Sequence, residues 1–375
     1  MKKHFFFFFF LFVFYSCKKE IPIVKGQEGV NEIQYANGFT LEKYEGFSLL
    51  KVRDTWANSN ENYVYVLRKA QAVVPDSLKR YTVIQVPVNK IVVTSTTHIP
   101  SLEMLGTENT LVAFPNCNYI SSEKTRVLID AGKVKEVGDN QSLNTEMLLD
   151  IAPDVIVGIG MDNASKTFAH LEKNGLKVLY NGDWAEQSPL GKAEWVKFFG
   201  ALYDADEKAT VLFNNIVKEY NHVKQIALQA KLKPTVMSGA IYQDFWYLPQ
   251  GKSWGAQFIK DANAHYIWEH TNGTGSLSLS FEEVLDKAQD ADFWIGPGQF
   301  SSYSEMMTAN TNYKHFKAFE NKKVYSYSAK KGRTGGIIYY ELASNHPDWV
   351  LKDIVKIFHP ELLPDYELFF LEPLK

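Results

Sequence analysis

Apolar positions along this 375-residue chain follow two periods, and the change from one to the other maps the elements. Between Phe39 and Pro87 the pattern is of strands. Phe39 and Leu41 alternate with polar neighbours, residues 47–52, 63–67 and 81–86 are rich in β-formers, and 58–62 reads as a turn. This predicts a small β extension over 36–88. From Ile91 the strands become unbroken apolar runs suited to a buried parallel sheet: 91–93, 111–114, 154–157 before Gly158, and 178–180. Short helices alternate with them at 100–105, closed by Gly106, at 146–151, and at 167–173, closed by Gly175. The scheme returns later, with strands at 235–237, 293–295 and 323–327 and helices at 254–261, 281–287 and 349–358. Strand–helix alternation predicts α/β lobes with right-handed crossovers, one over 89–187 and one over 205–375.

Between the lobes, residues 188–231 read as two consecutive helices. Ser188 is placed as an N-cap with Pro189 at the first helical position. Trp195, Phe198, Phe199, Leu202 and Tyr203 then share one face. Asp204 and Glu207 read as a capping box that restarts the chain as a second helix, ending near Lys231. Residues 188–204 are expected to link the lobes as a strut with a cleft beside it.

The length is too great for one ordinary core, and 45% hydrophobic with 22% charged residues describes a globular chain. Formal net charge is −3, more negative still without Lys2 and Lys3, which argues against nucleic acid as partner. Those lysines precede a nearly all-Phe run at 5–14, too short to span a membrane and ordered as an export signal is. The run stops at Tyr15-Ser16-Cys17 and resembles a bacterial lipoprotein signal, although Phe14 and Tyr15 stand where that pattern prefers Leu and a small residue. The resemblance implies a signal over 1–17, lipid on Cys17, a polar tether over 18–35, and a membrane-anchored protein facing the periplasm or the cell surface. An ordinary cleaved signal is the alternative. Of the two cysteines Cys117 is then alone, so no internal disulfide is expected.

One motif recurs. Leu143-Asn144-Thr145-Glu146 leads a helix and then Asp154-Val155-Ile156-Val157-Gly158; Leu279-Ser280-Phe281-Glu282 leads another and then Asp292-Phe293-Trp294-Ile295-Gly296. Short crossovers look alike, and Glu suits any first helical turn. The sharper reading is two pseudo-symmetric lobes carrying matched carboxylates on one outer face.

Several segments together resemble the iron-siderophore/cobalamin class of substrate-binding proteins that feed ABC importers, the class III type with a helical backbone. They are Lys90-Ile91-Val92-Val93-Thr94-Ser95-Thr96-Thr97-His98, the Glu146 to Val157 unit, and Ser188-Pro189-Leu190-Gly191-Lys192-Ala193-Glu194-Trp195. Later ones are Gly251-Lys252-Ser253-Trp254 with Asp261-Ala262, and His359-Pro360-Glu361. The resemblance, over about 85–365, implies an α/β fold of two Rossmann-like lobes with parallel sheets, joined by a backbone helix. It also implies ligand held between the lobes with little closure, and a monomer working with a permease. A Glu on each lobe docks onto transporter Arg residues in that family; by position these are Glu146 and Glu282, with Glu283 competing for the second role.

Tyr and Trp suit a small-ligand cleft because they are wide, stiff and polar at the tip. Tyr119 and Trp184 in the first lobe and Tyr242, Trp246, Trp254 and Tyr303 in the second follow strands, so they are candidates to line it. Core packing accounts for each of them as well. Arg333, in the glycine-flexed Lys330-Lys331-Gly332-Arg333-Thr334-Gly335-Gly336, offers a two-point grip on a carboxylate, catecholate or phosphate, or else sits in a solvated basic loop. Enzyme motifs are absent: there is no His-Glu-x-x-His, Cys-x-x-Cys or Gly-x-Ser-x-Gly, and Gly158-x-Gly160 lacks a third glycine. Direct zinc or manganese binding would need ligands such as His98, His170 and His265 to converge. The expectation is therefore a non-catalytic solute-binding lipoprotein that captures an iron-siderophore complex and holds no metal or cofactor of its own. Cobalamin or haem as ligand, or a surface lipoprotein without a transporter, are the alternatives.

Overall fold

The structure is a computed structural model that describes residues 29–53, 62–159 and 164–375. The signal, Cys17, most of the tether and turn, and Gly160 lie outside the described residues. Two five-stranded sheets form the centres of two α/β lobes. The first is wholly parallel, in the order Val178–Asn181, Val155–Ile159, Ile91–Val93, Leu111–Phe114, Lys135–Glu136. The second runs His265–Tyr266, Thr235–Ser238, Phe293–Ile295, Val324–Ser326, with Glu372–Pro373 antiparallel at its edge. The central strands are buried on both faces, which is why their sequences carry no alternation.

The recurring motif has a structural cause. Asp154 Oδ2 accepts from the backbone N–H groups of Asn89 and Lys90, just ahead of Ile91–Val93. Asp292 Oδ2 accepts from Thr235 N–H at the head of Thr235–Ser238. In each lobe, then, an Asp after the crossover helix fixes the start of the neighbouring strand.

Ser188 caps Gly191 N–H at 3.0 Å and opens Pro189–Glu194, followed at once by Val196–Leu202. The expected capping box does not form. Asp204 adopts a left-handed φ of 51°, its carboxylate pairs with Lys69 at 2.6 Å, and the next helix has Ala205 as an N-cap without a side-chain bond. That helix, Asp206–Ala227, stops short of Lys231 and ties to both lobes. Lys208 Nζ donates to Leu105 O at 2.6 Å in the first. Tyr220 Oη donates to Asp261 at 2.7 Å and Lys224 pairs with the same carboxylate at 2.8 Å in the second. It packs so closely on Val196–Leu202 that a Cβ at Gly200 would lie 2.5 Å from the Ala209 Cβ.

The N-terminal sheet, Val30–Asn31, Phe39–Tyr44, Phe47–Arg53, Asn62–Lys69 and Thr82–Val86, is antiparallel except for its last, parallel pair. Its apolar face continues the first lobe's core, and Tyr65 Oη accepts from Tyr180 N–H at 3.1 Å. Residues 34–38 are held by two buried carboxylates. Glu194 accepts from the N–H groups of Gln34, Tyr35 and Ala36, and Glu186 Oε1 from those of Asn37 and Gly38. Lys197 neutralises Glu194 at 2.8 Å.

Replacing Glu194 with Ala leaves three backbone N–H groups without their acceptor and the buried Lys197 ammonium without its counter-charge, with only Glu32 O left to accept from it. Glu194→Ala is predicted to lower stability by about 3–5 kcal/mol and to open 29–38 to protease. Denaturant titration and limited proteolysis check this; an unchanged unfolding midpoint contradicts it.

Candidate functional site

Strand alternation decides which aromatic residues reach the space between the lobes. Ala240–Tyr242 and Phe245–Pro249 form a hairpin, extended by Ser276–Leu279. Along Phe245–Pro249, Trp246 and Leu248 point into the core while Tyr247 and Pro249 point the other way. Trp246 is therefore not a cleft residue: it is fully buried, stacks on Trp294 at 5.2 Å and donates its indole N–H to Ser238 O. Gly239, at φ 80°, lets this hairpin fold back, since a Cβ there would meet Tyr247 O at 1.9 Å.

The principal cavity has a volume of about 1300 Å³ and opens between the second lobe and the loop 184–187 of the first. Of the candidates, Trp184, Tyr242 and Trp254 line it, together with Tyr247, Tyr327, Tyr339 and Tyr340, which the sequence reading did not name. Tyr327 and Tyr339 stack at 4.6 Å and 19°, and Trp254 continues the stack against Tyr339 at 6.2 Å and 25°. Tyr340 meets Tyr327 edge-on at 5.7 Å. Burial holds the Tyr327 and Tyr339 phenols well above their ordinary pKa, so both hydroxyls remain neutral donors. The sequence signal for this wall is the Ile337-Ile338-Tyr339-Tyr340 run that follows the flexed glycines of the Arg333 loop.

Three further candidates lie elsewhere. Tyr119 is exposed beside the contact between the lobes, where a Cβ at Gly336 would lie 2.4 Å from Tyr119 O. Tyr303 heads the helix Tyr303–Ala309, meets Phe319 edge-on, and lines a separate hollow of about 580 Å³ with Met307 and Lys314. Arg333 does not reach the cavity: its guanidinium pairs with Asp130, and with Glu123 at 3.4 Å, on the first lobe. Among the described residues no group of three or more His, Cys, Asp or Glu side chains is placed to hold a metal ion. His98 is buried against Phe199, and His265 pairs with Glu269 at 3.2 Å. Cys117 is free and buried, its thiol pushed up to about 11 by desolvation.

The Arg333 loop and the helix Ile338–Leu342 close the back of the cleft by crossing from the second lobe to the first. Glu341, almost fully buried, accepts from Ser121 N–H at 2.6 Å and Ser122 N–H at 2.9 Å. Asn345 donates to Thr97 O at 2.9 Å and accepts from Ser101 Oγ at 2.8 Å. On the outer face, Glu146 and Glu282 are exposed at the second position of helices Thr145–Ile151 and Phe281–Ala288, whereas the Glu283 carboxylate is used in a capping box with Ser280.

Residues 91–330 match the family described as periplasmic binding proteins. An uncharacterized lipoprotein of Methanocaldococcus jannaschii is 27% identical over 359 residues, covering 90% of this chain and 82% of that one. Two solved structures share the fold. A possible iron-binding (periplasmic solute-binding) protein from Staphylococcus epidermidis has a TM-score of 0.58 at 17% identity, covering 73% of this chain and 99% of that chain. A periplasmic heme binding protein from Pseudomonas aeruginosa has a TM-score of 0.57 at 14% identity, covering 77% and 98%. No helix among the described residues is long and apolar enough to cross a membrane.

Burial pushes the Glu341 carboxyl up to about 7, outweighing the two N–H donors that pull it down. Its folded value lies above its unfolded one. The stability it supplies is therefore complete below the unfolded value and is lost as pH rises through about 7. Between about pH 4.5 and pH 8 the loss is predicted to approach about 3 kcal/mol. Glu341→Gln should remove that slope from the difference between variant and parent; equal pH profiles in denaturant titrations contradict it.

Proposed function

This chain belongs to the periplasmic binding protein family, and from that premise we propose that it captures an iron-siderophore complex and delivers it to the permease of an ABC importer. The observation that carries the reading is the aromatic cavity of about 1300 Å³, roomier than the ~300–1,000 Å³ that drug-sized ligands occupy. A bulky chelate needs that volume, and the stack of Trp254, Tyr339 and Tyr327 offers flat faces to an organic shell. Likeness to proteins named as iron-binding and heme binding supports a metal-bearing ligand. Cobalamin or haem is the second choice for the same volume.

The family is one of binding proteins, so the proposed mechanism is capture without chemistry. Ligand seats against the second-lobe wall, Trp184 covers it from the first lobe, and the filled form presents Glu146 and Glu282 to basic residues of the permease. A lipid on Cys17 would hold the protein at the membrane, in keeping with a relative named as a lipoprotein. The lobe boundaries at 89–187 and 205–375, the link at 188–204 and the monomeric state belong to the same proposal.

Titration of intrinsic tryptophan fluorescence with ferric siderophores, cobalamin and haem is expected to give saturable quenching by at least one of them; quenching by none overturns the reading. Reversing charge at both Glu146 and Glu282 is expected to leave binding intact and reduce uptake by about tenfold or more. Unchanged uptake would favour a surface lipoprotein that works without the transporter.

A further inference from the structure

Among the described residues, Glu186 is the one formally charged residue that borders the cavity, and its carboxylate is buried behind the wall. Glu186 is 5% exposed, and its two oxygens have different surroundings. Oε1 accepts from Asn37 and Gly38 N–H and from the Trp195 indole at 3.2 Å. Oε2 is buried with no hydrogen-bond partner. Behind the same wall lie Asp183, almost fully buried, and Lys192, whose ammonium donates to the carbonyls of Asp183 and Trp184 at 3.0 Å and lies 5.0 Å from the Trp254 ring centre. Two carboxylates against one ammonium leave this corner negative. The remaining wall is tyrosine and tryptophan faces, which also attract positive charge through their quadrupoles. The arginine on the adjacent loop is already committed to Asp130 and Glu123.

We propose that the cavity selects ligands that are uncharged or cationic at the end nearest Glu186, and rejects polyanionic chelates. This rests on the chelate-capture reading above and narrows it. A tris-catecholate complex would bring several negative charges against a wall that offers them no cation, beside a carboxylate that repels them. A hydroxamate complex is neutral, or cationic where it ends in a free amine. Such an ammonium would find an aromatic face and the negative field of the two carboxylates buried behind it.

The test uses the full chain and intrinsic fluorescence, with three ferric chelates: ferrioxamine B, a monocation; its N-acetyl derivative, which differs only in lacking that charge; and the trianionic ferric enterobactin. Cyanocobalamin, uncharged, and haemin, with two propionates, extend the series. The expected result is that ferrioxamine B binds roughly five- to tenfold tighter than its acetylated form, and that ferric enterobactin and haemin fail to saturate. Glu186→Gln keeps the acceptor used by Asn37 and Gly38 and should erase the preference for the free amine. If that variant does not fold, Tyr242→Arg on the exposed part of the wall should weaken ferrioxamine B and admit the trianion. Enterobactin or haemin binding as tightly as the neutral and cationic probes overturns the charge selection and leaves chelate capture standing. If no probe binds, both fall.

Discussion

A carboxylate taken out of water must be given donors, and this fold uses that requirement at every seam. Glu341 of the second lobe has its donors in Ser121 and Ser122 of the first. Glu194 and Glu186 receive theirs from residues 34–38 of the N-terminal sheet. Asp353 receives the N–H groups of Phe369, Phe370 and Leu371, which docks the C-terminal tail beside the last helix. In the first two cases acid and donors come from segments far apart in sequence. Separation would strand a buried charge, at a cost of several kcal/mol, and leave N–H groups unsatisfied. These contacts are therefore close to all-or-none, and they make the cleft walls parts of one assembly.

That logic explains the unequal legibility of the sequence. The lobes could be read because parallel strands are unbroken apolar runs and their crossovers end in glycine or an N-cap, all local signals. The Glu146 and Glu282 motif was visible for the same reason, and Asp154 and Asp292 now supply its cause: each pins the adjoining strand. The capping box at Asp204 was legible but misleading. A tertiary partner, Lys69, takes the carboxylate and the helix begins two residues later. Seams were illegible because nothing near Glu341 or Glu194 in sequence announces which distant N–H groups will face them.

The cleft falls between these cases. Trp184, Tyr242 and Trp254 were found by residue type and by position after strands. Trp246 failed because the segment is a hairpin strand, and one residue of register moves a side chain from the cavity to the core. Tyr247, its neighbour, shows what the alternation Phe245, Tyr247 against Trp246, Leu248 implied had the hairpin been recognised. Arg333 failed for a different reason. A guanidinium near a cleft is read as a ligand grip only if no protein carboxylate competes, and Asp130 and Glu123 come from the other lobe.

The same Arg333 loop bears on how widely the lobes can part. Its ion pairs are exposed and contribute little, so on their own they would let the cleft open freely. Glu341 and Asn345 lie behind them and are buried. Opening by rigid rotation would break the bonds from Ser121 and Ser122 to Glu341, while the helix Asp206–Ala227 stays bound to both lobes through Lys208, Tyr220 and Lys224. Motion is thus confined to what the exposed layer permits, a shift of the rim over a fixed base. A permease reading Glu146 and Glu282, as proposed, would then tell the filled form from the empty one by that shift of the rim. Any discrimination it makes must come from the rim that the ligand touches, where Trp184 of one lobe faces Tyr242 and Tyr340 of the other.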